Sequence, residues 1–272
     1  MVVQHNLQAA NTNRMLSQNV KAVAKSTEKL SSGYGVNRAA DDAAGLSISE
    51  KMRNQIRGLN QAVKNSEDGI SAIQTAEGNM NEIHSILQRM GELADKAAND
   101  INATEDRTAI ADEMTQLRDE IDAIASKAAF NGTKLLGGKF TGKMLQVGAN
   151  GGENMKISIA AMDASAIGLG AADISVNNHS NAAQTLSNIQ SAIKKVSAAR
   201  SELGAKQNRL DYTINNLKNY SENLNSAESQ IRDTDMASEM TNYSKNNILQ
   251  QAAQSMLAQA NQSTQGVLSL LG

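Results

Sequence analysis

The chain of 272 residues contains no cysteine, no proline and no tryptophan, and aromatic residues make up only 2% of it. Without cysteine there are no disulfides, no thiol redox chemistry and no cysteine-ligated metal. Average usage would place about 14 prolines in a chain of this length. Their absence fits long uninterrupted helices, whose interiors proline breaks, and the shortage of rings predicts thin helix-on-helix seams filled by aliphatic side chains. An excess of either charge is also missing. Lys and Arg number 26 against 28 Asp and Glu, a net −2, and no basic patch with interleaved aromatics suggests nucleic acid. No run of about 20 apolar residues predicts a membrane-spanning helix, and the N-terminus lacks the basic and long apolar regions of a cleavable secretory signal.

Charge is also missing locally. From Asn246 to Gly272 no side chain is charged, and none carries formal charge before Arg14, although charged residues are 20% of the whole. The tail's apolar residues Leu249, Ala253, Met256, Ala260, Val267 and Leu271 recur at helical spacing, with Leu257 beside them. Between them stand Gln, Asn, Ser and Thr rather than Lys and Glu. A helix facing water ordinarily carries charge on its outer face, so a helix dressed in amides is built to be surrounded by protein. Leu7, Leu16, Val20, Val23 and Leu30 mark the matching helix at the other end. Both ends are expected to be disordered in the free subunit and to fold when neighbours surround them.

Between the ends the pattern comes in blocks. Ser31-Ser32-Gly33-Tyr34-Gly35 closes the first helix, and Asp41-Asp42 suits the start of the next. A long stripe then runs from Met52 through Ile56, Leu59, Val63, Ile70, Ile73 and Met80 to Ala97 and Ile101. It tolerates Gly58, Gly69, Gly78 and Gly91, which suggests close approach of neighbouring backbones or local bends. A polar turn over 99–106 leads to a third amphipathic helix, Ile110 to Ala128. From Phe130 to Gly170 glycine is dense, and alternating runs flank Asn150-Gly151, a hairpin signal. Helix returns from Ala182 to Ile231, followed by the tail helix. The predicted class is mainly α: long antiparallel helices in a coiled-coil-like rod, one small β-hairpin region near 140–180, and paired N- and C-terminal helices.

No catalytic, cofactor-binding or metal-ligating set emerges. His5, His84 and His179 are scattered, and Glu82-Ile83-His84 is not a zinc-protease helix motif. Asp41-Asp42 at a helix start reads as a cap rather than an acid pair. Gly33-Tyr34-Gly35 lacks the spacing and the following Lys-Ser/Thr of a phosphate loop. No enzyme is expected.

The joints carry a resemblance. Leu30-Ser31-Ser32-Gly33, Asp41-Asp42-Ala43-Ala44-Gly45-Leu46 and Glu67-Asp68-Gly69-Ile70-Ser71 resemble the N-terminal signature of bacterial flagellins. Phe130-Asn131-Gly132 is similar to the turn after their third helix, and Leu203-Gly204-Ala205 with Gln207-Asn208-Arg209-Leu210 to their C-terminal long helix. Ile248-Leu249-Gln250-Gln251-Ala252, Leu257-Ala258-Gln259-Ala260-Asn261-Gln262 and Val267-Leu268-Ser269-Leu270-Leu271 are similar to their terminus. The motifs span both ends in the right order.

The resemblance implies a structural subunit that assembles head-to-tail with copies of itself into the bacterial flagellar filament for swimming motility. It implies a short form with no large outer domains in the 140–180 region. Residues 1–42 with 235–272 would form a terminal helical domain lining the filament channel, and 43–234 a rod domain. The implied location is the extracellular flagellum, reached without a cleavable signal peptide. The implied partners are the flagellar export apparatus, an export chaperone, the filament cap, hook-junction proteins and the flagellin-sensing Toll-like receptor. Gln88, Arg89, Leu93 and Glu113 match that receptor's contact positions, with Arg89 and Leu93 an i,i+4 step apart. Two other readings compete: a hook–filament junction protein with the same terminal helices, and a helical signalling scaffold of the chemoreceptor type, which would keep strict heptads and lack the Asn-Gly hairpin.

Overall fold

The computed structural model describes residues 6–271, with the side chains of 264 and 267–271 outside the described set. Six helices and two strand pairs follow one another as α1 (Leu7–Ser32), α2 (Ala43–Ala97), α3 (Thr104–Lys127), β1 (Ala129–Phe130), β2 (Thr133–Lys134), β3 (Lys143–Gln146), β4 (Asn154–Ile157), α4 (Ala164–Ile167), α5 (His179–Arg232) and α6 (Met236–Leu271). The chain divides into two compact units, residues 55–221 and residues 1–54 with 222–272, and α2 and α5 contribute to both.

In the 55–221 unit the buried face of α2 runs Leu59, Ala62, Ser66, Gly69, Ile73, Ala76, Met80, Ile83, Leu87, Met90, Ala94, Ala97. The steps alternate three and four without a break, the seam of a coiled coil. α5 answers with Ala182, Thr185, Ile189, Ala192, Val196, Leu203, Leu210, Ile214 and Leu217 on the same repeat. The pairing is antiparallel: Gly91 faces Ile189 and Gly69 faces Leu210, Arg200 pairs with Glu77 at 3.6 Å, and the Ser221 hydroxyl donates to Asn60 Oδ1 at 3.3 Å. α3 adds Ile110, Met114, Ile121 and Ala125 to the same core. The sequence reading put Val63 and Ile70 on the stripe, but both are only half-buried, and the smaller Ala62, Ser66 and Gly69 take the inward positions.

The stripe also ends earlier than its apolar residues suggested. α2 stops at Ala97, and Ile101 is fully out in solvent. Two asparagines compete for the backbone there: Asn102 Nδ2 donates to the Lys96 carbonyl and Asn99 Oδ1 accepts from the Ile101 amide. At the next helix start, Asp106 accepts from the Ala103 amide at 3.3 Å.

The two alternating runs form an antiparallel hairpin, with Leu145 opposite Met155 and Gln146 opposite Asn154. Its turn is wider than a two-residue Asn-Gly loop. Asn150 and Gly151 lie within it, the Glu153 amide donates to the Asn150 carbonyl at 3.3 Å, and Gly152 rather than Gly151 takes the positive φ, 97°. This is the left-handed third position of a type II turn, which glycine fills without a Cβ penalty. Glu153 accepts from Asn150 Nδ2 and from the Asn150 amide, both at 3.1 Å. The Asn150 side chain foremost, with the amides of Asn150 and Ala149, holds that carboxyl below the usual glutamate range.

The hairpin lies directly on α2. A Cβ at Gly58 would stand 3.0 Å from Ala149 Cβ, and one at Gly69 2.6 Å from Leu145 Cδ2. These two glycines answer the close-approach reading, whereas nothing lies near Gly78. A second small pair, β1 with β2, sets Phe130 opposite Thr133 around Asn131-Gly132.

The terminal helical pair, a candidate assembly surface

In the other unit α1 and α6 lie antiparallel. Asn6 caps α1 by accepting from the Ala9 amide at 2.9 Å, and its own Nδ2 donates to the Ala260 carbonyl at 3.1 Å. At the far end Lys29 approaches Glu239 at 3.9 Å. The inward row of α1 is Thr12, Leu16, Asn19, Val23, Ser26, Leu30, and that of α6 is Tyr243, Asn246, Gln250, Ala253, Leu257, Ala260. Both rows step alternately by three and four, a coiled-coil register, yet half of each row is polar. Only Ser26 and Ala260 are fully buried among the described residues of the two helices. An open cleft of ≈ 260 Å³, lined by Lys25, Ser26, Lys29, Glu239, Asn242 and Asn246, interrupts the seam.

Several large apolar side chains point away from the seam. Leu7 is 77% exposed and Ile248 66%, and Met15, Val20, Leu249 and Met256 also face outward. Of the expected assembly residues, Leu16, Val23, Leu30, Ala253, Leu257 and Ala260 line the seam, while Leu7, Val20, Leu249 and Met256 lie on the outer surface. The side chains of Val267 and Leu271 fall outside the described residues. The outer face carries an apolar load with no charge along 246–266 to hold it in water, the pattern of a surface completed by protein.

The joint that returns the chain into α6 is built from polar groups far apart in sequence. Gly33 adopts φ 77° and caps α1 through its amide on the Lys29 carbonyl. The Gly35 amide donates to the Arg232 carbonyl at 2.6 Å and the Thr234 amide to the Gly33 carbonyl at 3.0 Å. The Arg232 guanidinium sits 4.5 Å above the Tyr34 ring and 3.2 Å from Glu50. The Ser49 hydroxyl donates to Glu228 at 2.9 Å. Asp42 caps α2 through the Gly45 amide at 2.9 Å. Its neighbour Asp41 takes the Lys25 ammonium at 2.8 Å and the Arg38 amide at 3.1 Å. The Lys25 hydrogen bond and then the Arg38 amide lower the Asp41 carboxyl to about 2, and Asp41 in turn raises Lys25.

The residues matched to receptor contact lie in the 55–221 unit. Arg89 bridges Glu113 at 3.0 Å and Glu92 at 3.1 Å, and Glu113 first, then Glu92, raises its pKa. Gln88 Nε2 lies 3.2 Å from His84 Nε2. Leu93, only 3% exposed, belongs to the core despite its i,i+4 relation to Arg89. His179 Nδ1 donates to the Ala98 carbonyl at 2.7 Å, and His5 lies outside the described residues. Among the described residues no cluster of His, Cys, Asp or Glu could hold a metal ion, and no helix is long and apolar enough to cross a membrane.

Comparison with known proteins accounts for this arrangement. Residues 3–141 match the bacterial flagellin N-terminal helical region and residues 186–271 the bacterial flagellin C-terminal helical region. The chain is 53% identical over 271 residues to a flagellin of Halalkalibacterium halodurans, covering 100% of both chains. It is 46% identical over 285 residues, again with 100% of both covered, to the flagellar filament 31.3 kDa core protein of Treponema maltophilum. The crystal structure of Bacillus cereus flagellin superposes with a TM-score of 0.51 at 30% identity, covering 57% of this chain and 88% of that one. The full-length matches favour neither the junction protein nor the signalling scaffold. With its paired helical ends, hairpin-bearing helical body and end-to-end similarity, the chain belongs to the bacterial flagellins, a family of structural proteins rather than enzymes.

Proposed function

We propose that the paired ends are the part of the molecule that builds the polymer. The chain is a structural subunit of the bacterial flagellar filament, located in the extracellular flagellum. The observation that carries the reading is the outer surface of α6, where Ile248, Leu249 and Met256 stand among amides with no charge along 246–266, together with the exposed Leu7, Met15 and Val20 of α1. Covering one such half-exposed side chain contributes roughly 1–2 kcal/mol. Summed over Leu7, Met15, Val20, Ile248, Leu249 and Met256, that offsets the ordering of the ends, which a polar two-helix seam does poorly alone. The contact is head-to-tail, since only heterologous interfaces propagate into helical filaments.

On this reading residues 1–42 and 235–272 line the filament channel, 43–234 form the surrounding rod, and the ends fold fully only on docking. The export apparatus, the export chaperone, the cap and the junction proteins would engage the same ends before assembly. Receptor contact would rest on the exposed Gln88, Arg89 and Glu113, with Leu93 beneath them. Hydrogen exchange on monomer and filament tests the folding step. The amides of 250–265 exchange rapidly in the monomer and slowly in the filament if assembly folds them, and strong monomer protection there removes the mechanism.

A further inference from the structure

Methionine is placed differently in the two units. In the 55–221 unit Met80, Met90 and Met114 are fully buried, and Met155 and Met162 nearly so. In the terminal unit Met15, Met236, Met240 and Met256 are 47%, 48%, 51% and 51% exposed. Three of these four lie on α6, at half-exposed positions that the assembly reading covers with neighbouring copies. A thioether is a soft, adaptable contact in an apolar interface. It is also the one apolar side chain that a mild oxidant makes polar.

We propose that Met15, Met236, Met240 and Met256 form an oxidation-sensitive gate on assembly: peroxide converts them to sulfoxides in the free subunit and removes it from filament growth, whereas neighbours shield them once it is assembled. In each step a sulfur lone pair attacks one oxygen of hydrogen peroxide. A sulfur–oxygen bond forms, the oxygen–oxygen bond breaks and water leaves. Sulfur loses two electrons and peroxide is reduced. The sulfoxide is bulkier and polar, and burying it against the aliphatic side chains of a neighbour is unfavourable wherever no amide N–H meets its oxygen. The step is reversible, because methionine sulfoxide reductases return the thioether. The fully buried Met80, Met90 and Met114 are internal controls, and Met144, 69% exposed in the 55–221 unit, reports peroxide access outside the terminal helices.

The gate rests on the assembly reading, and one experiment separates the two. Full-length monomer and preformed filament are treated with hydrogen peroxide, and oxidation is mapped by peptide mass spectrometry. Treated monomer is then added to filament seeds and elongation is followed by electron microscopy. The expected result is oxidation of the four methionines in monomer and their protection in filament, with Met80, Met90 and Met114 untouched in both. Elongation by oxidised monomer slows by about tenfold or more, and sulfoxide reductase treatment restores it. A variant with Met15→Leu, Met236→Leu, Met240→Leu and Met256→Leu, close in volume, elongates regardless of peroxide. Four methionines as reactive in filament as in monomer overturn the assembly reading and the gate with it. Protected methionines combined with undiminished growth of oxidised subunits overturn the gate alone. So does a growth defect that reductase leaves in place, a readout that holds even if the leucine variant does not fold.

Discussion

The two units of this chain use the same kind of helix to opposite ends. In residues 55–221 the inward positions hold Ile73, Met80, Ile83, Leu87, Met90, Met114 and Ile121, all fully buried. In residues 1–54 and 222–272 the buried set among the described residues is Ser26, Gly45, Ser49 and Ala260. No large side chain is buried there among the described residues. One unit completes its own hydrophobic core, and the other completes its polar joint at Tyr34, Arg232, Glu50 and Glu228 and a half-polar seam, leaving Leu7, Met15, Val20, Ile248, Leu249 and Met256 outside. The difference shows where a subunit stores the driving force for assembly: in a pair of helices whose seam is too polar to be their main reason for folding.

The largest effect that could break this comparison comes from deletion. Removing residues 246–272 is expected to abolish filament growth completely, with no tubes after seeding in electron microscopy. The thermal transition of the 55–221 unit, followed by circular dichroism, should stay in place, because no described residue of α6 belongs to its core. Long filaments from the truncated chain would mean that the outer face of the ends is not the polymer contact.

Next comes a matched pair of point changes. Leu87→Ala empties a fully buried position and is expected to cost about 2–5 kcal/mol in chemical denaturation. Met256→Ala trims a half-exposed one and should move monomer stability by less than about 1 kcal/mol while weakening seeded growth. Equal losses in the two monomers would erase the distinction between the units.

How far this contrast could be read beforehand follows from what periodicity reports. A helix buried on one side shows its stripe, and the α2 stripe from Ile73 to Ala97 and the α3 residues Ile110, Met114 and Ile121 were legible for that reason. Small residues leave no hydrophobic signal, so Ala62 and Ser66, which carry the α2 seam beneath the hairpin, were missed, and Gly69 was read as a close approach but not as part of the seam. Val63 and Ile70 were favoured in their place. Ile101 misled because asparagines on either side end the helix before it. On α6 one stripe was expected to hold Leu249, Ala253, Met256 and Ala260 together. The seam instead takes Ala253, Leu257 and Ala260, and Leu249 and Met256 face away. A helix with different neighbours on two sides has two faces to satisfy, and a single period cannot separate them. The joint of Tyr34 with Arg232 was invisible, since it pairs groups at opposite ends of the chain. The uncharged composition of both ends did signal protein surroundings, because charge is what a solvated helix face cannot do without.

A smaller change sharpens the comparison from the side of the self-sufficient unit. Gly78 sits inside α2 with open space where a Cβ would be. Gly78→Ala is therefore expected to stabilise the monomer by about 1 kcal/mol through helix propensity alone, read as a higher denaturation midpoint. Gly69→Ala, whose new carbon would meet Leu145 Cδ2 at 2.6 Å with Leu210 and Ile157 close behind, should forfeit part of that gain, because the Leu145 side chain must repack to admit it. If both variants gain equally, the hairpin is not seated on α2 as closely as these distances state.

The smallest effect tests whether the terminal unit has any stabilising contact of its own. Asp41 is held at about 2 by the Lys25 ammonium and the Arg38 amide, against an ordinary 3.8. A carboxyl whose folded pKa is depressed contributes stability that is fully present above its unfolded pKa. The contribution declines as pH falls through the interval between the two values and is gone below the folded one. The pair is partly solvated, so it is weakened by salt as well. Hydrogen exchange at 37–45 should therefore quicken as pH is lowered from about 4 to about 2, after correction for the intrinsic rate, and Asp41→Asn should remove that dependence at low salt. The variant should leave the 55–221 unit unchanged at every pH. A pH response of the same size in the Asn variant would assign the acid sensitivity of this joint to another carboxylate of the same unit, such as Asp42, Glu28, Glu50 or Glu228.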